Sequence, residues 1–444
     1  MLDELINTVG INCYSFRIYS IIALFLLADG GEMIVISILI PELTKIWNLS
    51  ELEKGFLGSA VFVGFFFSTL ISGKFADLYG RKPAFITGAV TSAVFALVSA
   101  FSPNYYVLLT FRAFFGIGVG ISVPSASSLA AEITPTKYRS WVLNLVWMFF
   151  PVGEVISVIS AKYLLNSTDG WRYLLGIVAI PNIISCIISF FINESPRFYI
   201  TNEKYEEGFI NLDRILQRSK EKIELTNEHK ERIMKEEKLD LKSNYTSLCK
   251  KKYVRLTLQT CAIFFTCSFC YYGMLYILPQ LMENLFSKLN KIESNEAKIQ
   301  ALIYSAVAEV PAVFFTCYIS NVPAIGRIKT LALGFFLTLC FTIFSAIYLD
   351  YIHILASCFK FAITIPFGVI YVYTCEAFPT KIRAIAVGVT NSLTRLGGIL
   401  TPIITQLMFA YLNYSPFIVF GSLTLACFFI SIFLPFETVG KDIL

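Results

Sequence analysis

Twelve apolar stretches divide the chain, over residues 18–41, 55–73, 83–101, 105–127, 140–162, 173–192, 254–279, 299–319, 329–349, 352–374, 385–411 and 415–435. A helix that crosses the hydrocarbon core of a bilayer needs about 20 mostly apolar residues. In lipid, a helix satisfies its backbone polar groups without water. The pattern therefore predicts twelve transmembrane helices. Polar residues fall into short connections, as between Ser102 and Tyr105 or between Asn413 and Pro416. One connection is long: residues 193–252 hold 26 of the 67 Lys, Arg, Asp and Glu residues. Phe209, Leu212, Ile215 and Leu216 recur there at helical spacing among charged residues, which predicts one or two solvated surface helices. The organisation expected is a six-helix bundle over 1–192, a charged segment with short helices over 193–252, and a second bundle with a short tail over 253–444.

Composition strengthens this reading. Of 444 residues, 56% are apolar and 15% charged, against about 25% charged in an ordinary soluble chain. With 41 Phe and 23 Tyr, this is too much apolar surface for a water-soluble core. A soluble enzyme, a nucleic-acid binder and a disordered chain are excluded. The net charge of +5 is too small to indicate a partner. The cysteines are scattered through apolar stretches, and His229 and His353 are far apart, so no metal or cofactor is expected. The start, MLDELINTVG, is acidic and unlike a cleavable leader. Basic residues slightly favour the loops on the side of the long segment, which predicts that both termini are cytosolic.

The two halves repeat. Glu132-Ile-Thr-Pro-Thr-Lys-Tyr-Arg139 follows the fourth stretch, and Glu376-Ala-Phe-Pro-Thr-Lys-Ile-Arg383 follows the tenth, 244 residues later. Glu194-Ser195 and Glu437-Thr438 end the sixth and twelfth stretches, 243 residues apart. A duplicated six-helix unit with a site between the halves is a transporter architecture. The connection Gly73-Lys-Phe-Ala-Asp77-Leu-Tyr-Gly80-Arg81-Lys82 resembles the loop signature of the major facilitator superfamily. Arg112-Ala-Phe-Phe-Gly116, Glu194-Ser-Pro-Arg197 and Pro435-Phe-Glu437-Thr438 resemble its sugar-porter branch. Ala28-Asp29-Gly-Gly-Glu32-Met33, Tyr371-Val-Tyr373 and Arg395-Leu-Gly-Gly398 are most similar to the synaptic vesicle 2-related group, itself related to organic-ion transporters.

The resemblance implies a twelve-helix, all-α membrane fold of two pseudo-symmetric bundles. It also implies a cytosolic gate of interlocking charges at Asp77, Arg81, Glu132, Arg139, Glu194, Glu376, Arg383 and Glu437. In the resemblance Asp77 reaches across to the start of the eleventh helix and to Arg383. The second copy of the Gly80-Arg81 loop, around Gly326-Arg327, has Pro323 in the region of the acid, so a symmetric latch is not expected.

Charged residues inside the membrane cost about 2.5–3.5 kcal/mol each on insertion scales and are functional candidates. They are the acids Asp29, Glu32, Glu154 and Glu309 and the bases Arg112, Lys360 and Arg395. Proton-coupled relatives pair an acid of the first helix with the arginine of the fourth. Carried over, the coupling group is Asp29 with Arg112, and Glu32 beside it. Lys360 and Arg395 make the second half electropositive and favour an organic anion, unless Glu154 and Glu309 neutralise them. Tyr271, Tyr272 and Tyr371 complete the expected solute-binding set.

The function expected is secondary active transport of a small organic solute, coupled to protons, by alternating access. No nucleotide-binding loop or catalytic cluster supports a pump or an enzyme. A facilitative sugar-type uniporter, and a receptor or vesicle protein built on a transporter fold, are the alternatives. The expected partners are the solute, protons and the bilayer. The expected state is a monomer in the plasma membrane or a vesicle membrane.

Overall fold

A computed structural model describes residues 2–135, 138–217, 225–237, 248, 250–288, 294–412 and 414–439. Among these residues, twelve helical stretches are long and apolar enough to cross a membrane. In order, the first half contains α1 (Leu2–Val9), α2 (Cys13–Trp47), α3 (Glu51–Tyr79), α4 (Arg81–Ser99), α5 (Tyr105–Ile133), α6 (Arg139–Trp147), α7 (Phe149–Leu164) and α8 (Gly170–Ser189). The connecting segment carries α9 (Pro196–Thr201), α10 (Tyr205–Leu216) and α11 (Asn227–Glu237). The second half contains α12 (Lys251–Lys288), α13 (Ser294–Ser320), α14 (Gly326–Ile347), α15 (Ile352–Ala377), α16 (Thr380–Tyr411) and α17 (Ser415–Ile432). An even number of spans puts both chain ends and the 193–252 segment on one side, here the terminal side. The opposite side is the far side.

Local chemistry sets several helix ends. Asn12 caps α2 by accepting from the Ser15 N–H at 2.9 Å. Ser50 and Glu53 cap α3 reciprocally. The first span is longer than its apolar run, 35 residues or about 52 Å. Hydropathy marks where a helix leaves lipid, whereas caps mark where it ends. The fifth span, read from the sequence as one helix, is broken between Trp147 and Phe149. Pro151 explains the break, because its ring clashes with the carbonyl four residues back and it donates no hydrogen bond.

Within the first half α3 packs on α5, α4 on α5 and α8, and α2 on α7 and α8. Within the second, α12 packs on α16, α13 on α15, and α14 on α15 and α17. The seam between halves is formed by α3 with α16, α7 with α13 and α2 with α12. Outward faces expose Phe67, Ile71, Ile187 and Phe191, which suits contact with lipid tails. The connecting segment is less solvated than its sequence implied. Ile200, Leu212, Leu216 and Ile233 pack with Leu5 and Ile6 of α1 into a separate small core.

Gly153 lets α7 lie directly on α2: a methyl group built there would overlap the Leu27 carbonyl oxygen. Gly153→Ala should therefore lower stability by about 1–3 kcal/mol, as overpacking does. Thermal unfolding in detergent reads this, and an unchanged midpoint would show that α2 and α7 can part freely.

Candidate functional site

Two sets of charges lie where the helices meet water on the terminal side. At Gly80, with φ of 112°, the chain turns between α3 and α4 in a conformation that favours glycine. The Glu194 carboxylate accepts from the Arg81 N–H at 3.1 Å and the Lys82 N–H at 3.0 Å, so it caps α4. Arg81 reaches Glu132 at 3.2 Å and Asp77 at 3.3 Å, and the Ser195 hydroxyl donates to Glu132.

The second half repeats this arrangement. Gly326 has φ of 73°. Glu437 accepts from the Arg327 N–H at 2.8 Å and the Ile328 N–H at 3.0 Å. Arg327 pairs with Glu376 at 3.1 Å, and Thr438 donates to Glu376 at 2.5 Å. The expectation of an asymmetric latch is thus corrected. The acid absent near Pro323 is the peripheral member, whereas the arginine and two glutamates that build the cluster are all present. Arg327 lies outside the expected gate set, although its loop is the expected second copy of Gly80-Arg81. Its signal is the Gly-Arg dipeptide at similar distances from both glutamates, 49 and 110 residues against 51 and 113 for Arg81.

A second correction concerns direction. The ion pairs seen at Arg81 and Arg327 stay within one half and do not cross the seam. Asp77, with its carboxylate 72% exposed, is engaged by Arg81 of the adjoining helix start. The side chains of Arg139 and Arg383 lie outside the described residues.

The capping glutamates differ in their electrostatics. Burial pushes the Glu194 carboxyl above its ordinary value, outweighing the N–H groups of Ser195, Lys82 and Arg81. Partial burial also pushes Glu437 upward, but the N–H groups of Ile328, Arg327, Thr438 and Val439 outweigh it and hold the carboxyl below its ordinary value. A lowered carboxyl adds stability above its unfolded value of about 4.3, and that stability is lost as pH falls through the lower folded value. Glu437→Gln should therefore cost about 1 kcal/mol at neutral pH, as loss of a helix-end charge does. The cost should fade in acid; thermal unfolding measured across pH checks this, and a pH-independent penalty would refute the charge-based cap.

In the membrane interior, Glu32 and Arg112 are both fully buried and pair at 2.5 Å. This corrects the expected Asp29–Arg112 pair. Arg112 lies seven residues from the far end of α5. Glu32 is three residues, about 4.5 Å, nearer the far side than Asp29 and so matches its depth. Glu32 Oε1 and Arg112 Nε and Nη2 are buried without hydrogen-bond partners.

A second group crosses the seam. Lys360 of α15 contacts Glu309 of α13 and lies 3.4 Å from Glu154 of α7. The Tyr271 hydroxyl of α12 donates to Glu309 at 2.7 Å and lies 3.2 Å from Glu154. The Lys360 ammonium lies 3.9 Å from the Tyr271 ring centre. The open alternatives for Glu154 and Glu309 resolve in part: both surround Lys360 and neither pairs with Arg395. Arg395 instead lies 3.6 Å over the Phe65 ring, with Nε unpartnered. Tyr272 stacks edge-on to Phe62 at 4.5 Å, and Tyr371 donates to Asn391 at 3.0 Å. Phe62, Phe65 and Asn391 were missed, since nothing in a lone aromatic or amide marks it as facing a seam.

Towards the far side the halves are tied. Lys45 pairs with Glu283 at 3.5 Å, Tyr276 donates to the Gly58 carbonyl at 3.1 Å, and Ser59 donates to the Ile399 carbonyl at 2.6 Å. A pocket of about 110 Å³ at this end, lined by Glu42, Lys162 and Lys298 among others, is peripheral to the interior charges.

A sequence profile of the family described as sugar (and other) transporter matches residues 28–443. The chain belongs to that family. It is 28% identical to the synaptic vesicle 2-related protein of Bos taurus over 100% of this chain and 82% of the relative. It is 26% identical to the putative transporter svop-1 of Caenorhabditis elegans, over 100% and 86% of the two chains. The fold is that of the partially occluded inward-open xylose transporter XylE from E. coli, with a TM-score of 0.73, 19% identity and coverage of 97% and 99%. The family and fold are those of multi-pass membrane transporters of the major facilitator superfamily and its sugar-porter branch, close to the synaptic vesicle 2-related group, and not those of enzymes.

Proposed function

We propose that this transporter moves a small organic solute bearing an anionic group, and couples that movement to protons, by rocking its two halves about the seam. The buried Glu32–Arg112 pair carries the reading. An isolated buried charge is costly, so when Glu32 takes a proton the hold on Arg112 is released. Alternate exposure of that carboxylate to the two sides makes proton entry part of each cycle. Asp29 and Glu32 share α2, so a change at Glu32 is felt at the seam.

Arg395 is the anion anchor in this reading. Its planar guanidinium can hold a carboxylate bidentately. Lys360 is removed from that role, because its charge is already taken by Glu154 and Glu309. Those groups with Tyr271 act as a tie across the seam that must break in each cycle. The Arg81 and Arg327 clusters act as clamps that keep each half rigid, and the Lys45–Glu283 contact acts as the far-side gate. The charge bias of the loops supports cytosolic termini, and the name of the vesicle-protein relatives supports an intracellular vesicle membrane.

Proteoliposomes provide the test. An imposed inward proton gradient should drive accumulation of a labelled organic acid, and uptake that ignores the gradient would leave a uniporter as the correct description.

A further inference from the structure

The reassignment of Arg112 to Glu32 leaves Asp29 over. It lies on α2, is 3% exposed, and its Oδ1 makes no hydrogen bond. Across the seam on α16, Arg395 is 5% exposed with its Nε unpartnered. The two interact electrostatically yet form no ion pair within 4.0 Å. Tyr272 of α12 senses both charges, and its ring stands against Phe62. Phe65 lies under the guanidinium. The other charged groups near Asp29 are occupied: Glu32 by Arg112, and Glu154 and Glu309 by Lys360 and Tyr271.

An acid on one half therefore faces a base on the other, both buried, with Asp29 Oδ1 and Arg395 Nε lacking hydrogen-bond partners. Such groups are costly to leave unpaired. We infer that Asp29 and Arg395 form a binding site for a zwitterionic organic solute, with its cationic group at Asp29 and its carboxylate at Arg395. A simple anion would leave Asp29 uncompensated, and a simple cation would leave Arg395 so. A molecule carrying both charges satisfies the two and bridges the halves. The rings of Phe62, Phe65 and Tyr272 provide π faces suited to an alkylammonium and to the stacked guanidinium. The inference rests on the proposed transport reading and names its substrate class.

The test uses the full-length protein, purified and reconstituted, with glycine betaine and γ-aminobutyrate as zwitterions, butyrate as the matched anion and choline as the matched cation. Thermal stabilisation and uptake under a proton gradient are both measured. Zwitterions should be taken up at least about tenfold better than butyrate or choline, the factor that about 1.4 kcal/mol of extra binding supplies. Asp29→Asn should erase that preference while retaining butyrate uptake. Arg395→Lys, which keeps the charge but not the bidentate fork, should weaken zwitterions and butyrate together. Butyrate uptake equal to that of the zwitterions, with Asp29→Asn leaving selectivity unchanged, would overturn the zwitterion site and leave anion transport standing. Stabilisation by none of the four compounds would overturn it as well. Zwitterion-selective stabilisation with no gradient-driven uptake would uphold the site and overturn the coupled-transport reading instead.

Discussion

Glu32→Gln is expected to turn concentrative uptake into simple equilibration. A proton gradient of about one pH unit supplies about 1.4 kcal/mol, enough for about tenfold accumulation of a solute that moves with one proton. Glutamine resembles the protonated acid in shape but cannot cycle its charge. With Glu32 fully buried and 2.5 Å from Arg112, the exchange removes the titrating group without leaving a hole. The accumulation ratio should fall from about ten to about one. Solute exchange between preloaded vesicles should persist, because it needs no net proton movement. That exchange also controls for folding, since an unpaired buried Arg112 carries a penalty of its own, about 3–5 kcal/mol for a broken buried pair. Undiminished accumulation by the variant would remove Glu32 from the coupling mechanism.

Loss of Lys360 should be strongly destabilising. Its ammonium is the cation between two buried carboxylates, Glu154 and Glu309, that come from opposite halves. Lys360→Met leaves both acids facing each other around the Tyr271 hydroxyl. Removing one partner of a buried ionic group costs about 3–5 kcal/mol. Thermal unfolding in detergent should show it as a clear drop in midpoint. Adding Glu154→Gln and Glu309→Gln should recover most of the loss, because a neutral, hydrogen-bonded set carries no unpaired charge. An unchanged midpoint in the single variant would mean that the lysine is not what holds the acids together.

Much of this molecule was legible in one dimension. Lipid supplies no hydrogen bonds, so an apolar run of spanning length has to become a helix. The duplicated Glu132 and Glu376 motifs exposed the repeat because a duplication preserves spacing. Gly80 and Arg81 were readable because a positive φ and a helix-capping carboxylate are local demands. The helix break before Phe149 was also written in the chain, at Pro151, although the hydropathy runs unbroken across it.

The pairing of charges was not legible. Along the sequence Asp29 is the expected partner of Arg112, with Glu32 beside it on the same helix. The depth at which α2 and α5 pass each other decides for Glu32. Lys360 reads alone as an anion anchor, and becomes a cross-seam tie once α7 and α13 bring two acids to it.

Periodicity, spacing and local turn chemistry act over a few residues, so the chain alone determined the twelve spans, the repeat and the capped loops. Which buried acid answers which buried base depends on helix depth and rotation, within the first half for Glu32 and Arg112 and across the seam for Lys360 and Glu154. Those quantities arise from packing small residues such as Gly153 and Gly116 against neighbouring backbones, and only the tertiary structure set them.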